Sequence, residues 1–240
     1  MTTFKRNETA QLISNYGKLF QYLGRLYRKE IDEDQLKHLC SLEFAQDMGE
    51  PNMEKGSLIL HNFFKNVKED TISTLSVDFA RVFLGAGPKP EFAAVPHESV
   101  FTNPKGLMMQ EAKDEMTMLL NDEQLQLEFG NPEPEDHISS EFDYLHHLCE
   151  KASNGFRIGD NQMISTYLSK IKTFFNHHLL NWVPCFCDRV IVGAATDFYK
   201  GLGLLTKGFL TASYHLILEI ERDLFLETDM VLAVGESEVA

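Results

Sequence analysis

NPEPEDHISSE, residues 131–141, is a polar interruption between two stretches of helical character. Its two prolines, Pro132 and Pro134, forbid a continuous helix through it. Beyond it, Ile138, Phe142, Leu145 and Leu148 recur at three- and four-residue spacing, the pattern of a helix with one buried face. Asp136 stands where the cap of that helix is expected, because a short acidic side chain accepts hydrogen bonds from the first free amides. An Asp-His pair at a helix start is either an ordinary cap and loop or a binding point for a basic or hydrogen-bonding ligand. The residues alone admit both readings.

The same spacing recurs on either side. Residues 8–28 carry Leu12, Tyr16, Leu19 and Leu23 on one stripe, with Gly17 and Gly24 lowering helix propensity while allowing close packing. Shorter helices are expected over 32–42 and 56–66. Residues 70–84 form a clear apolar stripe of Leu75, Phe79, Val82 and Phe83, and Asp78 stands three residues before Arg81, within pairing reach across one turn. Further helices are expected over 106–120, over 137–153 with a stop at Ser153-Asn154-Gly155, over 161–178, and over 179–192 with Pro184 in the first turn. A last one runs over 197–226, where Gly201 and Gly203 are expected to bend or divide it. Residues 86–105, punctuated by Pro90, Pro96 and Pro104, read as a long loop pinned to the body by Phe92 and Phe101. Residues after about 229 read as a loose tail. Strand alternation and Asn-Gly hairpins are missing from the sequence. The expectation is an all-α protein, a single globular multi-helix bundle forming one domain over residues 1–240.

Composition narrows the function classes. The 240 residues carry 36 acidic and 22 basic side chains, a formal net charge of -14. Nucleic acid is disfavoured as a partner, since phosphates need basic neutralising residues, and a cationic partner is favoured. The first residues show no apolar signal segment, and no apolar run reaches the length of a membrane span, so a cytoplasmic location without membrane insertion is expected. Cys40, Cys149, Cys185 and Cys187 are too few and too irregular for a disulfide framework and read as buried thiols. Met108, Met109, Met116 and Met118 lie close together and either fill the core or offer an adaptable apolar surface.

Motifs of common enzymes do not occur. The chain has no phosphate-binding loop, no dinucleotide fingerprint after a strand and no G-x-S-x-G elbow. The E-x-x-H pairs of carboxylate metal bundles are missing too. Asp143-x-x-His146 and His137-x-x-x-Glu141 are incomplete substitutes, so neither a metal nor a catalytic residue is expected.

Four separated segments resemble a known pattern. Asp78-Phe79-Ala80-Arg81-Val82-Phe83-Leu84-Gly85 resembles the D-[FY]-x-x-L-F segment of the TorD/DmsD/NarJ family of molybdoenzyme maturation chaperones, nearest its TorD/DmsD branch. Pro96-His97-Glu98-Ser99-Val100-Phe101 resembles the family's motif after its proline-rich loop, with His97 in place of a common aromatic residue and Phe101 in place of tyrosine. Pro134 to Phe142 is similar to P-x-D-H-x-x-x-E-[LF], and Trp182-Val183-Pro184-Cys185-Phe186 to W-x-P-x-F. The resemblance covers roughly residues 10–225.

The resemblance implies an all-helical bundle that binds an immature molybdoenzyme, often through its twin-arginine signal peptide, supports cofactor insertion and delays export. It implies a peptide-binding face with Asp136 and His137 at its polar centre, Asp78, Glu98 and Ser99 on the same face, and Glu141 touching the peptide or ordering that pair. Trp182 and Phe186 are then core or groove wall. No tightly bound cofactor is expected in the chain itself, the molybdenum cofactor belonging to the client. Relatives that exchange helices make a homodimer a further expectation. Two alternatives remain: an assembly factor that recognises a mature client surface rather than a leader, and a metal-dependent enzyme acting through Asp136, His137 and Glu141.

Overall fold

The computed structural model describes residues 3–45, 47–87, 93–126 and 133–237, with side chains described from residue 4 through residue 224. Pro90, Phe92, Asn131 and Pro132 of the sequence reading lie outside the described residues. Among the described residues ten α-helices follow in order: α1 (Thr3–Arg28), α2 (Glu33–Cys40), α3 (Pro51–Phe64), α4 (Thr71–Phe83), α5 (Glu98–Thr102), α6 (Glu111–Asp122), α7 (Ile138–Ile158), α8 (Asn161–Phe174), α9 (Val183–Gly193) and α10 (Asp197–Ser237). No sheet occurs among the described residues, and the only strand-like pairing is an isolated antiparallel bridge between His97 and His137. The protein is all-α, a multi-helix bundle, as the helical spacing predicts.

The centre of the bundle is α7, buried along Ile138, Phe142, Leu145, Leu148, Ala152 and Phe156. α1 lies against it at close range. A methyl group at Gly17 would come within 2.8 Å of Cys149 Cβ, and one at Gly24 within 3.1 Å of the Ser139 Cα, so the two glycines permit the approach the sequence suggested. Phe20 of α1 meets Phe142 edge-on at 5.0 Å between centroids, and Tyr27 meets Phe186 of α9 at 5.2 Å. Each such ring, buried whole, contributes roughly 1.5–3 kcal/mol through area removed from water. α8 and α10 complete the bundle, α3 packs on α10, and α4 feeds Phe79 and Phe83 onto Tyr199.

Several boundaries differ from the sequence reading, each for a local reason. α3 starts at Pro51 rather than 56, because the Glu50 carboxylate accepts from the Met53 amide at 2.7 Å and Pro51 suits the first turn. α6 starts at Glu111 rather than 106, because Gly106 (φ 62) and Met109 (φ 58) are both left-handed. α7 passes through Gly155, which is in the helix to let Ile164 of α8 approach, and stops at Gly159 with φ 74. α8 gives way after Phe174 to a π turn, Phe175–Leu179, that holds His177 and His178. Gly201 and Gly203 do not divide α10; they leave room for Leu60 of α3 and Ile191 of α9. The backbone of α10 stays helical to Ser237, past the expected start of a tail. The expected loop over 86–105 contains α5. Cys149 and Cys187 are buried as expected, and burial pushes the Cys149 thiol up to about 12, whereas Cys40 and Cys185 are exposed.

Candidate functional site

The proline-rich segment and the start of α7 meet through the backbone. Ile138 N donates to Pro96 O at 2.9 Å, and Glu98 N donates to Asp136 O at 3.0 Å. These two bonds bring His97, Glu98 and Ser99 alongside Asp136 and His137. Asp136 does not cap α7. Its Oδ2 accepts from the Ser99 amide at 2.9 Å and so serves the first turn of α5. α7 is capped instead by His137, whose Nδ1 accepts from the Ser139 amide at 3.0 Å. Burial opposes the Asp136 charge, but His97 and the Ser99 amide outweigh it and hold the carboxyl below its ordinary range. Burial, helped by the nearby His97 and Arg28, pushes the His137 imidazole well below its ordinary value.

Behind this junction lies a pair of buried carboxyl groups. Glu98 accepts from Asn181 Nδ2 and pairs with His178 Nδ1, each at 2.9 Å. Glu141 accepts from the indole N–H of Trp182 at 3.1 Å. Its other oxygen is buried and has no donor, and the Glu98 carboxylate interacts with the Glu141 carboxyl group. Burial and the Glu98 charge together push the Glu141 carboxyl well above its ordinary value. A carboxyl raised in the folded state binds its proton more tightly than the unfolded chain does. Stability therefore falls as pH rises from the unfolded value towards the folded one. Glu141→Gln reproduces the protonated form, offering Oε1 to Trp182 and an amide N–H to Glu98. Thermal melts between about pH 4 and neutral are expected to show a smaller decline for Glu141→Gln than for the natural protein, with equal or greater stability at neutral pH. An unchanged slope would refute the assignment.

Asp78 belongs to a separate polar centre. It receives Arg81 Nη2 at 2.5 Å, the Thr196 amide at 2.7 Å, the Thr196 hydroxyl at 2.6 Å and the Ala195 amide at 3.0 Å. Arg81 also donates to Gly193 O at 2.8 Å. The expected Asp78–Arg81 pair is thus present, and it ties α4 to the junction between α9 and α10. Burial raises the cost of the Asp78 charge, yet the Thr196 and Ala195 donors and Arg81 hold its carboxyl below the ordinary range.

The six residues named from the sequence therefore fall into two groups. Glu98, Ser99, Asp136, His137 and Glu141 form one connected network, and Asp78 forms another. All six are at most 3% exposed. They shape the face beneath which they lie, and solvent reaches other residues. A cleft of about 280 Å³ opens next to the network, with Phe79, Phe83, Leu84, Val95, Met108 and Glu133 among its walls. Leu84 is 65% exposed, Met108 is exposed on the same cleft, and its chain neighbours Leu107 and Met109 are exposed too. The methionine cluster thus divides: Met116 is core, whereas Met108, Met109 and Met118 face solvent. Helical spacing on α6 separates Met116 from Met118, whereas Met108 and Met109 precede the helix, where the left-handed Gly106 and Met109 turn the chain. Glu133 carried no signal, since its role depends on a neighbour from a distant segment.

The family model described as nitrate reductase delta subunit matches residues 44–188. The chain belongs to that family. The matched range contains all four motif segments quoted from the sequence, and the likeness to the TorD/DmsD branch is seen in individual relatives. A chaperone protein TorD of Vibrio cholerae is 28% identical over 211 residues, covering 85% of this chain and 92% of the relative. That of Photobacterium profundum is 27% identical over 226 residues, covering 92% and 94%. That of Aliivibrio fischeri is 27% identical over 215 residues, covering 85% and 95%. No catalytic constellation is apparent among the described residues, and none of their helices is long and apolar enough to cross a membrane.

Proposed function

We propose that the protein is a cytoplasmic chaperone that binds an immature molybdoenzyme, including its twin-arginine leader, supports cofactor insertion and delays export. The observation that carries this reading is the likeness to TorD chaperones along nearly the whole of both chains. The cleft suits such a client. A leader combines arginines with an apolar stretch; here Leu84, Val95 and Met108 supply apolar wall, Glu133 supplies a carboxylate, and the chain is strongly acidic. Asp136, His137, Glu98, Ser99 and Glu141 act from below, by fixing α5 and the start of α7. Asp78 acts by fixing the end of α4 from which Leu84 projects.

Calorimetric titration with a molybdoenzyme captured from native cells, whole and leaderless, tests this. The whole client and the isolated leader are expected to bind, with affinity falling as salt rises, and the leaderless client to bind at least about 10-fold more weakly. Leu84→Asp combined with Met108→Asp is expected to weaken leader binding about 10-fold or more, since each places a charge where apolar contact is needed, while the circular-dichroism spectrum stays unchanged. Equal binding of the leaderless client would replace this reading with recognition of a mature surface.

A further inference from the structure

His97 and His137 come from different segments, yet their rings meet edge-on at 4.9 Å between centroids. Glu133 joins them: its Oε2 is 3.4 Å from His97 Nε2. One ligand atom from each of His97, His137 and Glu133 lies within 4.8 Å of the others. Ligands of a four-coordinate zinc ion, at bond lengths of about 2.0–2.2 Å, stand roughly 3.3–3.6 Å apart. His97 and Glu133 already have that separation. The whole group needs to close by about 1 Å, and Glu133 is at the rim, its side chain 29% exposed.

The surroundings are those of a ligand set. The opposite nitrogen of His97, Nδ1, is 3.6 Å from Asp136 Oδ1, and both atoms are buried without another partner. A carboxylate behind an imidazole fixes the tautomer that leaves the outer nitrogen free for a metal. Asp136 is itself held by the Ser99 amide. His137 differs: its Nδ1 accepts from the Ser139 amide, so ligation through Nε2 moves the ring proton to Nδ1, which then donates to Ser139 Oγ at 2.7 Å and gives up that amide. Arg28, the nearby cation, is engaged by Ser139 Oγ at 2.9 Å and by Asp143 at 2.6 Å. All three side chains line the 280 Å³ cleft, so further coordination positions would open onto it.

We propose that His97, His137 and Glu133 form a binding site for one divalent first-row transition ion of the zinc class. Two imidazoles and one carboxylate with open positions suit such an ion. The ion would join the proline-rich segment to the start of α7 across the His97–His137 bridge. The site stands independently of the client reading, because it concerns the chaperone alone.

The test uses the untagged full chain, freed of metal and titrated with Co²⁺, then with Zn²⁺ in competition. One equivalent of Co²⁺ is expected to give visible d–d absorption that Zn²⁺ abolishes, and Zn²⁺ to raise the thermal midpoint. His97→Phe, which places an aromatic ring in the same space, is expected to lower affinity by about 100-fold or more and to remove the thermal shift. Glu133→Gln, a change at the rim, is expected to lower it about 10-fold. His215→Ala, at an exposed position on α10, is expected to change nothing. Failure to bind at one equivalent, unchanged affinity in Glu133→Gln, or loss only in His215→Ala would each overturn the proposal. Glu133→Gln decides the matter if His97→Phe does not fold.

Discussion

Asp78→Asn is expected to destabilise the protein by about 3 kcal/mol, because it breaks a buried charged network while leaving its partners in place. Asparagine matches aspartate in shape but has only one acceptor oxygen. Its amide nitrogen would face donors already aimed at Asp78: the Ala195 amide, the Thr196 amide and hydroxyl, or Arg81. Arg81 would lose its paired charge and keep only Gly193 O. For a chain of this length the thermal midpoint should fall by roughly 6–12 °C. The pH dependence identifies the cause. The Asp78 carboxyl is held below its ordinary value in the folded protein, so its contribution is complete above the unfolded value and fades as pH falls through the folded one. Thermal melts of the two proteins should therefore differ fully near neutral pH and converge below about pH 4. A difference that persists in acid would mean that shape, and not charge, carries the effect.

Trp182→Ala should cost about 4 kcal/mol, the range for a large aromatic side chain removed from a core. Trp182 is wholly buried and packs against Phe101 at 5.4 Å and Phe186 at 5.5 Å between centroids. Its N–H also satisfies Glu141, so the alanine variant leaves both a cavity and an unpaired buried oxygen. Trp182→Phe separates the two effects: it keeps most of the ring and removes the donor, at an expected cost of about 1–2 kcal/mol. Denaturant unfolding followed by circular dichroism measures both. Equal losses for the two variants would place the whole effect in the hydrogen bond.

The bundle was legible because α4, α7 and α8 each bury one stripe at helical spacing, a property local to the sequence; on α1 the expected stripe is offset, since Leu12 and Leu19 are exposed and Ile13, Phe20, Leu23 and Tyr27 carry the buried side. Asp78–Arg81 was legible for the same reason. What depends on distant neighbours was not. Asp136 looked like the cap of the helix that follows it, but its carboxylate serves Ser99, 37 residues earlier. Gly155 looked like a stop, but a neighbouring helix needs its lack of a side chain, and the stop falls at Gly159. The motif residues also looked like a surface. Hydrogen-bonding groups in short polar motifs read alike whether they meet a ligand or each other. Only the fold decides, and here it closes them inside. The sequence left Met108 open between core and surface and gave Leu84 no place on the stripe, because exposure at both follows from the left-handed Gly85 and Met109 beside them rather than from periodicity.

The pairing of α1 with α7 sets an order of events during synthesis. α1 leaves the ribosome first, but the helix that covers its apolar face begins at Ile138. Glu98 leaves next, and its partners His178 and Asn181 follow some 80 residues later. Trp182, the donor to Glu141, comes with them, and Thr196, which closes the Asp78 network, comes later still. A nascent chain shorter than this holds Glu98 and Glu141 without their side-chain donors and Asp78 with only Arg81, and it cannot close around them. The cleft is therefore among the last parts of the molecule to take shape. A chain released early would present Leu84 and the methionines before the structure that orders them, so the cleft depends on the completed synthesis of residues far beyond its own walls.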